Sequence, residues 1–268
     1  MPIPAPSPDA RAVVTGASQN IGEALATELA ARGHSLIITA RREELLNQLA
    51  AQLADKYRVT VEVRPADLAD PNDRAKLCEE LAARPISILC ANAGTATFGA
   101  VADLDPAGEK AQVQLNAVAV HDLTLAVLPG MIERQAGGIL ISGSVAGNSP
   151  IPYNATYAAT KAFANTFSES LRAEVRGSGV HVTVLAPGPV RTELPDPDEM
   201  SLVEKLVPDF LWISTEHTAK VSLDALQRNK MRVVPGVTSK AMSVASGYGP
   251  RAIVAPIVGA FYKKLGGS

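Results

Sequence analysis

Short runs of β-branched and aliphatic residues alternate with apolar-striped segments of ten or more residues along this chain, and few folds accept that rhythm. RAVVT (11–15), SLIITA (35–40), VTVEVRP (59–65), ISILCA (86–91), GGILISGS (137–144), VHVTVLAP (180–187) and MRVVP (231–235) read as strands. Between them IGEALATELAARG (21–33), REELLNQLAAQLADKY (42–57), Pro71 to about Ala83, the region 106–133 and a segment through Tyr157 to about Arg176 read as helices. Strands this apolar are covered on both faces, which a parallel sheet with helices on each side provides. The expectation is an α/β chain with one doubly wound parallel sheet of about seven strands and helices on both faces.

A length of 268 residues suits one such domain, here placed at 11–240. MPIPAPSPDA (1–10) reads as a flexible Pro-rich arm, and 241–268 as an apolar tail packing on the domain, a partner or a lipid. With 25 basic against 27 acidic residues, nothing favours nucleic acid as a partner. Cys78 and Cys90 offer neither a disulfide framework nor metal spacing, and the four histidines lie far apart. No metal is expected, and a reducing, cytoplasmic setting is. No uninterrupted apolar run reaches the roughly 18–20 residues of a membrane span; the nearest is Ala252–Tyr262, broken by Pro256.

The first strand-to-helix turn, Thr15-Gly16-Ala17-Ser18-Gln19-Asn20-Ile21-Gly22, suits a pyrophosphate seated on a helix N-terminus. After the second strand come Arg41 and Arg42, with no carboxylate before Glu43. An acid there would accept from a ribose hydroxyl, whereas arginine pairs with a 2′-phosphate. Arg41 therefore predicts NADP(H) over NAD(H). Tyr157 and Lys161 stand four apart, on one face if Ala155 onward is helical, and Ser144 precedes the tyrosine by thirteen residues. An ammonium beside a phenol favours phenolate and is expected to lower its pKa. Ser144 does not sit in a hydrolase elbow, because Ser142 and Ala146 occupy the two glycine positions of Gly-x-Ser-x-Gly.

Taken in order, these stretches resemble the short-chain dehydrogenase/reductase family, whose fold is a single Rossmann-type sheet. The glycine turn is similar to Thr-Gly-x-x-x-Gly-x-Gly, with Asn20 where the middle glycine usually stands. Asp67-Leu68 resembles the pair that contacts adenine, although Asp67 also reads as a helix cap. Asn92-Ala93-Gly94 closes the fourth strand, and Pro187-Gly188-Pro189-Val190-Arg191-Thr192 resembles the turn whose threonine holds the nicotinamide carboxamide. The resemblance implies a catalytic tetrad of Asn116, Ser144, Tyr157 and Lys161. In it Tyr157 donates the proton, Ser144 holds the substrate oxygen, Lys161 holds ribose hydroxyls and Asn116 positions a water. The alternative is a member of the same family acting on another 3-oxoacyl or small ketone or alcohol substrate; a cofactor-binding sensor with a dead site is a third reading, which intact Ser144, Tyr157 and Lys161 argue against.

Beyond Thr192, apolar residues at 203, 206, 207, 210 and 211 recur at helical spacing and suggest a cover helix over a hydrophobic acyl or ketone substrate. With the tail, these features resemble the mycolate reductase branch of the family. That resemblance implies reduction of a 2-alkyl-3-oxoacyl lipid in mycolic acid synthesis, at the inner face of the membrane. It also implies dimers or tetramers joined through exposed helices, and the tail fits subunit packing, an acyl chain or a membrane surface.

Overall fold

The computed structural model describes residues 3–191, 212–236, 239–241, 243, 256, 259, 260 and 263. Seven parallel strands run β1 (Arg11–Thr15), β2 (Leu36–Thr39), β3 (Val61–Val63), β4 (Ile86–Ala91), β5 (Gly137–Ser142), β6 (Val180–Leu185) and β7 (Arg232–Val233). Their spatial order is β3-β2-β1-β4-β5-β6-β7, so the winding reverses between β1 and β4. A crevice opens beyond the carboxyl ends of the strands at such a reversal, where sheets of this kind hold ligands.

Helices α1 (Asn20–Ala31), α2 (Glu43–Tyr57) and α7 (Thr215–Gln227) contribute to one core with Ala12, Val14, Leu36, Ile38 and Ile88. Helices α3 (Pro71–Ala82), α5 (Ala119–Glu133) and α6 (Ala155–Glu174) contribute to the other with Val13, Ile37, Leu89 and Ile139. Successive β1 residues thus enter opposite cores, as period-two side-chain direction requires. Helix α4 (Pro106–Val113) continues into α5 through a π-helical turn at Gln114–Val118. Pro106–Glu133 is long and apolar enough to cross a membrane by length and composition, a test that a buried core helix also passes. Polar residues interrupt the stretch, yet an 18-residue window within it has a mean hydropathy of 1.5, with 39% of that window buried.

Strand β5 stops at Ser142, short of the predicted Ser144, and β7 is only two residues long. In the N-terminal segment Ile3 packs against the α1/α2 core. Most of the tail and the predicted cover helix at 203–211 lie outside the described residues.

At the opposite end of the sheet an ionic knot ties β1, β3 and α3 together. Glu62 accepts from Arg11 Nε at 2.7 Å and Arg84 Nη2 at 2.7 Å, while Arg64 spans Glu62 and Glu80. The Arg84 hydrogen bond, reinforced by Arg11 against the opposing effect of burial, holds the Glu62 carboxyl at about 2. A depressed carboxylate stabilises the fold fully above its unfolded value of about 4.3 and loses that contribution as pH falls through about 2. Denaturation of Glu62→Gln against pH should therefore show a loss of about 1–3 kcal/mol at neutral pH. The gap from wild type should close between about pH 4.5 and 2. A constant gap across that window would exclude the knot as a source of acid sensitivity.

Candidate active site

The glycine turn is bound to the end of the fourth strand by side-chain-to-backbone bonds. Thr15 Oγ1 accepts from the N–H groups of Asn92 and Ala93, both at 2.9 Å, and Asn92 Nδ2 donates to Thr15 O at 3.2 Å. A Cβ at Gly22 would lie 2.0 Å from the Gly16 carbonyl oxygen and 2.9 Å from Asn92 Nδ2, so the helix enters at a spacing only glycine permits. Gly16 has φ +67°, and Asn20 takes up the left-handed conformation with φ +57°. Asparagine enters that region more readily than most residues, so the turn keeps its course without the usual glycine. Asp70, Asp105 and Ser214 cap α3, α4 and α7 with side-chain bonds, but Gln19 gives α1 none. A helix start whose N-cap makes no side-chain bond fits a dinucleotide pyrophosphate, with the Asn20 side chain standing where the usual glycine has none.

Arg41 is exposed at the end of β2. Its neighbour Arg42 reaches across the turn, donating to Ser18 Oγ at 3.0 Å and to Gln19 Oε1. Arg42 thus lies against the glycine turn, where the sequence reading singled out only Arg41. Asp67 Oδ1 caps its own turn, accepting from Ala69 N at 3.0 Å, while the Leu68 side chain joins the α3/α5 core. Gly94 is exposed, and a Cβ there would stand 3.2 Å from Asn116 Oδ1 and 3.4 Å from Lys161 Nζ.

The four residues of the expected tetrad lie on three elements, with Asn116 and Lys161 beside Gly94. Asn116 sits in the π-helical turn, fully buried, with Oδ1 accepting from Thr95 N at 3.0 Å. Its Nδ2 donates to Thr95 O at 2.8 Å and Thr160 Oγ1 at 3.1 Å, and Thr160 in turn donates to the Tyr157 carbonyl. Tyr157, Lys161 and Asn165 form one stripe on α6 at i, i+4 and i+8. Lys161 Nζ donates to Ser142 O at 2.7 Å and stands 5.7 Å from the Tyr157 ring centroid. Asn165 Nδ2 donates to Ser144 O at 2.9 Å and anchors the serine on the same helix. Ser144 caps a 3-10 turn at Val145–Asn148, with its Oγ accepting from Ala146 N at 3.1 Å. Gly143 and Gly147 make that approach possible: a Cβ would fall 2.0 Å from Asn165 Oδ1 or 2.5 Å from the Lys161 carbonyl carbon, respectively.

Burial pushes the Tyr157 phenol above its ordinary value, while the hydrogen bond with Ser144 pulls it back. Burial also pushes Lys161 down to about 8. The phenol shift runs opposite to the sequence expectation, because loss of solvent penalises the phenolate and Lys161 is committed to the Ser142 carbonyl.

Val145 N donates to Pro187 O at 3.1 Å, joining the serine turn to the Pro187-Gly188 turn. Val190 bridges Ile213, and the Arg191 guanidinium lies 5.7 Å over the Trp212 ring. Thr192 lies outside the described residues. Ser239 packs so closely on Gly188 that a Cβ there would be 2.4 Å from its hydroxyl, and Asn148 Nδ2 donates to Ser243 Oγ at 3.1 Å. Ser239 therefore borders the Pro187-Gly188 turn, and Ser243, near the start of the tail, borders the serine turn.

Residues 10–200 match the family model described as short chain dehydrogenase. The chain belongs to the short-chain dehydrogenase family. Sulfoacetaldehyde reductase 2 of Chromohalobacter salexigens is 40% identical over 185 residues, covering 68% of this chain and 73% of that protein. The very-long-chain 3-oxoacyl-CoA reductase of Bos taurus is 36% identical over 188 residues, covering 68% of this chain and 60% of the relative, so the match leaves much of that protein unspanned. Among solved structures, a short-chain dehydrogenase from Sphingobium yanoikuyae in complex with NADPH is 31% identical with a TM-score of 0.80, covering 91% of this chain and 95% of that one. A 7beta-hydroxysteroid dehydrogenase superposes with a TM-score of 0.83 over 93% of this chain and 96% of that one; at 23% identity it speaks for the fold.

Sequence reasoning passed over three residues that support the site: Arg42, Asn165 and Arg74. Asn165 was legible as the i+8 continuation of the Tyr157–Lys161 stripe. Arg74 is almost fully buried and donates to Leu68 O, Gln114 Oε1 and Asp122 Oδ2 at 2.8–2.9 Å, joining the Asp67-Leu68 turn to the π-helical turn. Its sequence setting carried no signal beyond a helical position.

Proposed function

We propose that this short-chain dehydrogenase is an NADPH-dependent reductase of the 3-oxo group of a long-chain 2-alkyl-3-oxoacyl lipid, giving the 3-hydroxy product in mycolic acid synthesis. The observation that carries the chemistry is the stripe of Tyr157, Lys161 and Asn165 with Ser144 docked on it. NADP(H) is the cofactor, and when bound its reduced nicotinamide supplies the hydride for the carbonyl carbon. Tyr157 donates its proton to the carbonyl oxygen, and a phenol raised by burial stays protonated at neutral pH for that purpose. Ser144 holds the same oxygen as charge develops on it. Lys161, at about 8, remains mostly cationic at neutral pH and faces the ribose side through Gly94. Asn116 orders the Thr95 backbone and positions the water that reprotonates the site.

Arg41 and Arg42 supply the preference for the 2′-phosphate. A charge-assisted bond of about 1.5–3 kcal/mol corresponds to roughly 10- to 150-fold. Arg41→Ala should raise the KM for NADPH by about that factor while leaving NADH kinetics unchanged; equal kcat/KM for the two cofactors in wild type would refute the assignment.

The lipid substrate draws support from the very-long-chain 3-oxoacyl-CoA reductases among the relatives and from tail contacts bordering the serine turn. The chain acts in the cytoplasm, at the inner face of the membrane where such lipids are handled, and works as a homo-oligomer. Leu125, Ile132 and Phe163 expose apolar surface on α5 and α6 and suit a second copy. The second reading, a reductase of small carbonyl compounds, is favoured by the sulfoacetaldehyde reductase relative. Comparing kcat/KM for long-chain 3-oxoacyl thioesters with that for short soluble carbonyl compounds separates the two. Comparable values would remove the lipid assignment, and accumulated 3-oxo lipid in a strain lacking the protein would support it.

A further inference from the structure

The loop after β4 and the loop before α6 flank the place where a carbonyl would meet Tyr157, and they are fastened to each other. Gly99 N donates to Tyr153 O at 2.9 Å, and Asn154 Nδ2 donates to Thr97 O. Tyr153 itself has φ +64°, a left-handed conformation that a bulky side chain tolerates only when its surroundings impose it. A third fastening comes from outside both loops. Glu109, half-buried on α4, receives the Thr97 hydroxyl on Oε1 at 2.5 Å and the Thr156 hydroxyl on Oε2. Thr156 immediately precedes Tyr157. Gln112, one turn further along α4, lies 3.3 Å from the Thr97 hydroxyl through its Oε1.

We propose that Glu109 is a positioning residue for the reductase reaction. Each of its carboxylate oxygens holds one threonine, so the substrate-side loop at Thr97 and the first turn of α6 move as one body. The height of the Tyr157 phenol above the substrate carbonyl is set through that bridge. A carboxylate suits the task because it only accepts, and both threonine hydroxyls are compelled to point inward. The α4 helix that carries Glu109 runs on into the π-helical turn, so the same element that presents Asn116 also fixes the distance between loop and phenol. The inference rests on Tyr157 being the proton donor, as proposed above.

Glu109→Ala removes both acceptors. With acetoacetyl and long-chain 3-oxoacyl thioesters as probes, kcat should fall about 10- to 100-fold, because a displacement on the order of 1 Å costs up to about 100-fold. The KM for NADPH should not change. Glu109→Gln, whose amide still meets both hydroxyls, should recover most of the rate. Thr156→Val should lower kcat by a similar factor, and its combination with Glu109→Ala should be less than additive. A uniform loss of folded protein, with unchanged kcat per active molecule, would overturn the proposal, as would a Glu109→Ala or Thr156→Val enzyme at wild-type kcat. Amide hydrogen exchange supplies a readout that needs no turnover: in either variant, exchange should quicken together at 95–100 and 152–158. Unchanged exchange in both segments would remove the bridge even if wild type reduced none of the probes, an outcome that would count separately against the reductase reading.

Discussion

Tyr157→Phe should retain its fold and its affinity for NADPH while kcat for carbonyl reduction falls by roughly 10²–10⁴. The phenyl ring keeps its place on α6, and only the hydroxyl that meets Ser144 is lost. On the proposed reading the dinucleotide binds through the glycine turn, Arg41 and Arg42, none of which touches that hydroxyl. Fluorescence quenching by NADPH together with single-turnover reduction measures the two quantities independently. Near-wild-type turnover in this variant would end the assignment of Tyr157 as proton donor, and a parallel loss of NADPH binding would place the residue in cofactor retention.

Gly147→Ala should be nearly as damaging despite adding one methyl group outside the reacting atoms. The new Cβ would lie 2.5–2.6 Å from the backbone of Lys161 and Ala162, in the middle of a twenty-residue helix that cannot give way. The 3-10 turn must withdraw, and Ser144 at its start withdraws with it. Overpacking of this kind costs about 1–3 kcal/mol. A shift on the order of 1 Å in the serine lowers kcat up to about 100-fold. Thermal unfolding and kcat, measured on the same preparation, check both; an alanine variant with wild-type melting and turnover would show that the serine turn is not held by this contact.

The parts of the fold that were legible are those where burial and chemistry coincide. β4, β5 and β6 are buried along their whole length, so their apolar runs announced a two-sided sheet. Tyr157 and Lys161 were legible because a regular helix maps a spacing of four onto one face. Helix α7 escaped notice for a specific reason. Its inward residues include Thr218 and Ser222, whose hydroxyls bond the carbonyls of Ser214 and Thr218 four residues back and so enter the core as satisfied groups. A pattern reader counts them as polar. The sign of the Tyr157 shift was equally invisible, since spacing reports a neighbouring charge but not the loss of water around the phenol. At the end of β2 the choice between Arg41 and Arg42 depended on where the chain turns into α2, a matter of one residue.

The wide turn at Gln114–Val118 lodges one surplus residue between α4 and α5. A helix advances about 100° per residue, so that insertion works as a phase shift. Helix α5 keeps its packing on the sheet while the Asn116 amide is dialled to its own bearing. Excising a single residue there should fuse the two segments into one ordinary helix and turn Asn116, together with α4 and its Glu109, about a quarter-turn relative to α5.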